Sequence, residues 1–145
     1  MIGLLQRVAE ASVSVSGDVV SAIGPGLLVL VAVKRDDSTA DVERLAERIL
    51  TYRVFADDQG RMNRSLTDLS LDLLLVPQFT LAADTRKGRR ASFTGAASPD
   101  AGRRYFDLML ELCRDRVPGV ASGIFGADMQ VALVNDGPVT FWLES

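Results

Sequence analysis

Three short stretches of this 145-residue chain combine residue types that could do chemistry. The first is Pro77-Gln78-Phe79-Thr80-Leu81, which directly follows the apolar run Leu71 to Val76. Proline carries no N–H and tends to end a β ladder, so the amides after it are free to point elsewhere. Amides at a strand end can hold a developing oxyanion, and Thr80 adds a hydroxyl. The plainer alternative is a strand that kinks at a bulge and resumes, with Thr80 filling a β position. The second stretch is the loop Asp84 to Arg90, in which Arg86, Lys87, Arg89 and Arg90 face a single acid. This is a local charge of +3 in a chain whose net charge is −3, so the remainder carries −6. Guanidinium forks suit phosphate oxygens, and contacts of that kind position a nucleic acid without reading its sequence. A solvated charged loop is the alternative. The third stretch is Asn135-Asp136-Gly137-Pro138, four turn-forming residues ahead of Val139-Thr140-Phe141-Trp142. A Gly-Pro peptide is a tertiary amide that reaches the cis form at a cost of about 0.5–1 kcal/mol. Cis geometry would redirect the Gly137 and Pro138 carbonyls, while an ordinary trans loop is the simpler reading of the dipeptide alone.

The chain contains no histidine, which removes the usual general base and the commonest metal ligand together. Ser-His-Asp and Cys-His mechanisms are excluded. With one cysteine, zinc sites built from His and Cys are excluded as well, and no acidic cluster of the magnesium type stands out. No metal and no other cofactor is expected. Cys113 lies within a helix-like run, Tyr105 to Cys113, and reads as a buried hydrophobe. No apolar run approaches the length of a membrane span, and Arg7 and Glu10 interrupt the N-terminal stretch before a signal-like core develops. A cytoplasmic protein, with no membrane partner, is expected.

The elements that must position these stretches follow from hydrophobic period. With 48% hydrophobic residues, the chain supports one domain, residues 1–145, with a real core. Val13 and Val15 alternate with serines, Gly17-Asp18 turns, and Val19 to Ile23 returns, which predicts a hairpin. Leu27 to Val33 is a continuous aliphatic run that suits a strand covered on both faces. Ser38 and Asp41 have capping-box spacing ahead of Val42, Leu45, Ala46, Ile49 and Leu50, an amphipathic helix. A short strand at Arg53 to Phe55, a turn through Asp57 to Gly60 and a buried strand at Leu71 to Val76 come next. Ser98-Pro99-Asp100 starts a second helix, with an expected apolar stripe of Tyr105, Leu108, Met109, Leu112 and Cys113. Met129 to Val134 and Val139 to Leu143 are expected to be two closing strands joined by the Asn-Asp-Gly-Pro turn. The sum is an α+β domain with a mixed, largely antiparallel, barrel-like sheet and two main helices.

Taken together, "QRV" at Gln6 to Val8, "PQFTLAADTRKGRRASF" from Pro77 to Phe93, and "GIFGADMQVALVNDGPVTF" from Gly123 to Phe141 resemble the D-aminoacyl-tRNA deacylases across essentially the whole chain. The resemblance implies an enzyme that hydrolyses the ester between a D-amino acid and the terminal ribose of tRNA. It implies a homodimer in which a cis Gly137-Pro138 enters the active site of the partner subunit as a chirality filter. It assigns catalytic roles to Gln78, Phe79 and Thr80, a supporting role for Arg7 in holding the Gly-Pro loop, and tRNA contacts to Arg86, Lys87, Arg89 and Arg90. DNA is not an expected partner. With no base beside Thr80, the resemblance points to assistance from the 2′-hydroxyl of the substrate ribose.

A filter that must accept many D side chains cannot read the side chain; it must read the configuration at Cα. Rigid backbone carbonyls do this because, unlike a side chain, they have no rotamer to escape into. Glycine, having no side chain, should pass, so glycyl-tRNA mischarged on tRNA(Ala) is an expected second substrate. One departure stands out. The family motif begins with Ser where this chain has Pro77, a start shared with a related branch that removes L-alanine from tRNA, although Phe79 is kept as in the D-specific enzymes. That branch, a non-catalytic RNA-binding module, and a dimeric small-metabolite hydrolase remain open as alternatives.

Overall fold

A computed structural model describes residues 1–145. Strand β1 (Ile2–Val15) is the pivot of a six-stranded mixed sheet. Its first half pairs antiparallel with β3 (Gly26–Ala32), and its second half with β2 (Asp18–Ile23). Its other edge pairs along nearly its whole length with β8 (Gln130–Glu144). Beyond β3 the sheet continues in parallel through β6 (Asp72–Pro77) to β7 (Val120–Ser122). One strand serving three partners has to coil, and the sheet curls into a nearly closed barrel. The mixed, largely antiparallel sheet of the sequence reading is what forms.

The continuous apolar runs owe their lack of alternation to two cores. Leu27, Val29 and Val31 of β3, with Leu73 and Leu75 of β6, face the helices. Leu28 of β3 and Leu74 and Val76 of β6 point into the barrel, with Val8, Val13 and Ile23. A strand buried on both faces has no polar side to show. Helix α1 (Thr39–Thr51) lays Val42, Leu45, Ala46, Ile49 and Leu50 on the outer core. Its start is fixed by the expected capping box, the Ser38 amide donating to the Asp41 carboxylate at 2.9 Å and the Ser38 hydroxyl at 2.6 Å. These bonds, the hydroxyl's first, hold the Asp41 carboxyl down at about 2. A two-strand ribbon, β4 (Phe55–Ala56) and β5 (Met62–Arg64), and the single turn α2 (Leu66–Leu69) lead into β6. Helix α3 (Pro99–Arg114) starts at Ser98 with Pro99 in its first turn, as expected.

Four expectations need correction. The first half of β1, Ile2 to Glu10, carries no strand in the sequence reading, yet it holds the sheet together. The strand expected at Arg53 to Phe55 is only Phe55–Ala56. The fully buried stripe of α3 is Gly102, Phe106, Met109, Leu110 and Cys113, with Tyr105, Leu108 and Leu112 only half-buried. The helix sits between α1 and the loop carrying Phe125, so its contact surface is rotated towards Phe106. Finally, the two closing strands are one. Val134 pairs with Glu10 and Asn135 with Val8, then Thr140 pairs with Gln6, all antiparallel to β1. The chain never reverses: Asp136 to Val139 bulge out opposite Arg7.

Candidate active site

The bulge and the Pro77 stretch turn out to be built in opposite ways. Pro77 closes β6 in register with Val31, and the Gln78 amide donates to the Val31 carbonyl at 2.7 Å. The chain then tightens into a 3₁₀ turn, Phe79–Ala82, with Leu81 N–H on the Gln78 carbonyl at 3.2 Å and Ala83 N–H on Thr80 at 3.1 Å. The strand does not resume. As at any helix start, the first amides are left over, here those of Phe79 and Thr80, which have no backbone acceptor. The Gln78 amide, the first after Pro77 and expected to be free, is committed to the sheet instead.

A cavity of about 490 Å³ opens beside this turn. Its walls are mainly apolar: Val31, Val76, Pro77 and Phe79 from the sheet side, Pro99 and Phe106 from α3, and the loop Phe125 to Met129. Gln78, Ser98 and Asp128 supply the polar side chains. Phe125 packs so closely over α3 that a Cβ on Gly102 would come within 3.2 Å of its ring. No local pattern marks Gly123 to Asp128 as a cavity wall, and Met129 reads only as the start of a strand. Gly123 and Gly126, spaced around Phe125, were the available clue to a tight loop.

Thr80 is exposed, and its hydroxyl accepts a hydrogen bond from the Gln78 side-chain amide. A nucleophilic hydroxyl needs an acceptor for its proton, and the one hydrogen bond Thr80 Oγ1 makes is this one, with a donor. Cys113 is fully buried and burial pushes its thiol up to about 12, so it is not a nucleophile. No three Asp, Glu or Cys side chains converge as metal ligands.

The Asn135–Val139 bulge is held from behind. The Arg7 guanidinium donates to the Asp136 carbonyl at 3.0 Å and to the Val54 carbonyl at 2.6 Å, and lies 3.3 Å from the Asp136 carboxylate. The Asn135 side chain accepts from Val139 N–H at 2.7 Å and donates to Thr140 Oγ1 at 2.8 Å. The Gly137-Pro138 peptide is cis, and Gly137 has φ 133°, a region that side chains rarely allow. Both residues are exposed, and neither lines the cavity of its own chain.

The basic loop is closed at its base by reciprocal hydrogen bonds between Asp84 and Ser92, at 2.8 and 3.0 Å. Arg86 clamps Asp84 through two bonds of 2.9 and 2.7 Å, which hold that carboxyl well below its usual range. Lys87, Arg89 and Arg90 are exposed and form no ion pair. Phe93, just past the loop, stacks on Phe79 with ring centroids 5.0 Å apart, so the loop stands next to the cavity wall.

The model of the family described as D-Tyr-tRNA(Tyr) deacylase matches residues 4–144. The chain belongs to that family. A D-aminoacyl-tRNA deacylase of Thioalkalivibrio sulfidiphilus is 63% identical over 145 residues, covering 99% of this chain and 97% of that protein. Its counterpart in Stutzerimonas stutzeri is 59% identical, with 100% of each covered. Among solved structures, the c-Myc DNA Unwinding Element Binding Protein superposes with a TM-score of 0.96 at 38% identity, covering 100% of this chain and 99% of that one. A probable eukaryotic D-amino acid tRNA deacylase shares the fold, with a TM-score of 0.86 at 19% identity over 99% of this chain and 98% of its own. The deacylase family consists of enzymes, and this member brings to it a cavity, a turn with free amides and a braced Gly-Pro bulge. No helix is long and apolar enough to cross a membrane.

Proposed function

We propose that this deacylase hydrolyses D-aminoacyl-tRNA to free D-amino acid and tRNA, that residues 1–145 act as one domain, and that the chain works as a homodimer in the cytoplasm without metal or cofactor. The observation that carries the reading is the division of labour between two segments: amides beside a cavity at Phe79 and Thr80, and the Asp136 to Pro138 bulge, braced by Arg7 at the Asp136 carbonyl, exposed and not part of that cavity's lining. The second fits the first only if another copy of the chain supplies it. The outward face of β8 supports such a pairing, since Val134 and Trp142 are half-exposed on the strand that carries the bulge. Gly137 and Pro138 then wall off the space that an L side chain needs, and glycyl-tRNA mischarged on tRNA(Ala) passes.

Hydrolysis proceeds by attack of water on the ester carbonyl, with the Phe79 and Thr80 amides stabilising the oxyanion. Each such donor contributes on the order of 3–4 kcal/mol where it has been measured. The adjacent ribose 2′-hydroxyl assists the water, a group that RNA has and DNA lacks, so RNA rather than DNA is the nucleic-acid partner. Gln78 holds the turn through its amide to Val31 and its side chain to Thr80; Arg86 shapes the basic loop, and Lys87, Arg89 and Arg90 meet tRNA phosphates. Incubating the protein with D-tyrosyl-, L-tyrosyl-, glycyl- and L-alanyl-tRNA tests the reading directly. Loss of the D and glycyl esters alone is expected. Turnover of L-alanyl-tRNA would assign it to the related L-specific branch, and binding without turnover would make it an RNA-binding module.

A further inference from the structure

The cavity has a second cationic neighbour, at its Phe125 wall. Arg103 of α3 has its guanidinium carbon over the Phe125 ring, 4.9 Å from the centroid, and one of its terminal nitrogens donates to the Phe125 carbonyl at 3.3 Å. Phe125 and Gly126 both line the cavity, and a Cβ on Gly126 would approach the same Arg103 nitrogen to 3.9 Å. Arg103 is therefore a rim residue. It is exposed, and no ion pair of the chain includes it, so the acids one turn away, Asp100 and Asp107, leave its charge uncompensated.

A guanidinium carries five N–H donors, and a cation–π contact with a ring needs none of them. One donor is spent on the Phe125 carbonyl. The remaining donors are preset for the paired oxygens of a phosphate, with little rotamer entropy left to lose because the ring and the carbonyl already hold the side chain. At the Phe79 wall, Phe79 packs against Phe93, which follows the Lys87, Arg89 and Arg90 loop. An acyl group seated in the cavity leaves its RNA strand to exit past these two cationic rims.

We propose that Arg103 is a further substrate-binding residue, taking a backbone phosphate near the 3′ end of the tRNA at the Phe125 wall of the cavity. This rests on the deacylase reading above and adds a contact to it. Arg103→Ala is expected to raise KM for D-tyrosyl-tRNA about tenfold with kcat nearly constant, and to lower the salt slope of binding by about 0.7, the value of one single-strand phosphate contact. Arg103→Lys, which keeps the charge and loses the fork, should recover part of the loss. D-tyrosyl-adenosine, an ester with no phosphate, should be affected at least fivefold less than the tRNA, on the order of a lost contact's worth. Equal losses on both substrates with an unchanged salt slope would show that Arg103 only pins the Phe125 loop, and would overturn the proposal; so would unchanged kinetics. Binding of uncharged tRNA, followed across the same salt series, reads the contact without turnover. A wild-type protein inactive on D-tyrosyl-tRNA would thus refute the deacylase reading while Arg103 is still judged by its slope.

Discussion

Two prolines interrupt the sheet, and the chain handles them differently. At Pro77 the strand ends: the next amide is still captured by Val31, and the two after it are set free at the cavity edge. At Pro138 the strand goes on: four residues bulge out opposite Arg7, and pairing with β1 resumes at Thr140. The first interruption yields N–H donors next to an enclosed space. The second yields a braced run of carbonyls on an exposed surface, tied down by Arg7 and Asn135. Donors suit a developing negative charge; a fixed carbonyl wall suits steric exclusion. In the proposed function the two are complementary parts of one reaction, made by the same device of a proline in a strand.

The sharpest way to break this contrast is at Gly137. A methyl group there would lie 2.7 Å from Val139 Cγ2 and 3.0 Å from the Arg7 guanidinium, at a φ of 133° that alanine rarely adopts. Gly137→Ala must therefore deform the bulge while leaving the Phe79 turn untouched. Discrimination between D- and L-tyrosyl-tRNA, measured as the ratio of kcat/KM values, is expected to fall roughly 100-fold, since a 1 Å misplacement can cost that much. Retained discrimination would mean that Gly137 is no part of the filter.

Arg7→Ala removes the brace rather than the wall. It strips hydrogen bonds from the Asp136 and Val54 carbonyls, a loss worth about 1.5–3 kcal/mol for bonds to a charged group. The bulge loosens without a clash, so the expected loss of discrimination is smaller, about 10- to 30-fold. Denaturant titration should show a matching drop in stability. If stability falls and selectivity does not, Arg7 supports the sheet only.

The sequence was most readable where local pattern and tertiary setting agree. Leu27 to Val33 and Leu71 to Val76 announce doubly covered strands because both faces are in fact buried, and Ser38 with Asp41 caps α1 because a cap needs only its own turn. The first half of β1 was unreadable for a physical reason: Gly3, Gln6 and Arg7 break the alternation, and the register slips on either side of Val8. The Asp-Gly-Pro run reads as a hairpin turn by local propensity, yet β1 pairs with the residues on both sides of it, and that pairing overrides the turn. The Phe125 wall is visible only once α3 has brought Gly102 and Phe106 against it.

Replacing Lys87, Arg89 and Arg90 together by glutamine tests the cavity side of the contrast from outside. In the proposed function these exposed cations contact phosphates, not the ester, so KM for D-tyrosyl-tRNA should rise about tenfold at physiological salt while the salt slope of binding falls by about 2. The D/L ratio should stay as it was. A change in that ratio would tie the loop to selectivity and blur the separation between the two regions.

The smallest effect is expected at the residue that looks most like a catalyst. Thr80 is the only hydroxyl on the 3₁₀ turn, but it is exposed, and its one hydrogen bond comes from Gln78, with no acceptor placed to take its proton. What the turn offers the reaction is backbone, and Thr80→Ala keeps the backbone. Activity on D-tyrosyl-tRNA should therefore remain within about threefold of the wild type, less than a single positioned donor is worth. Single-turnover rates are the measurement to make, because they isolate the chemical step from product release. A fall of roughly 10³-fold or more, with the fold intact, would make the hydroxyl a participant and give the Pro77 interruption a side-chain role that the comparison with Pro138 denies it.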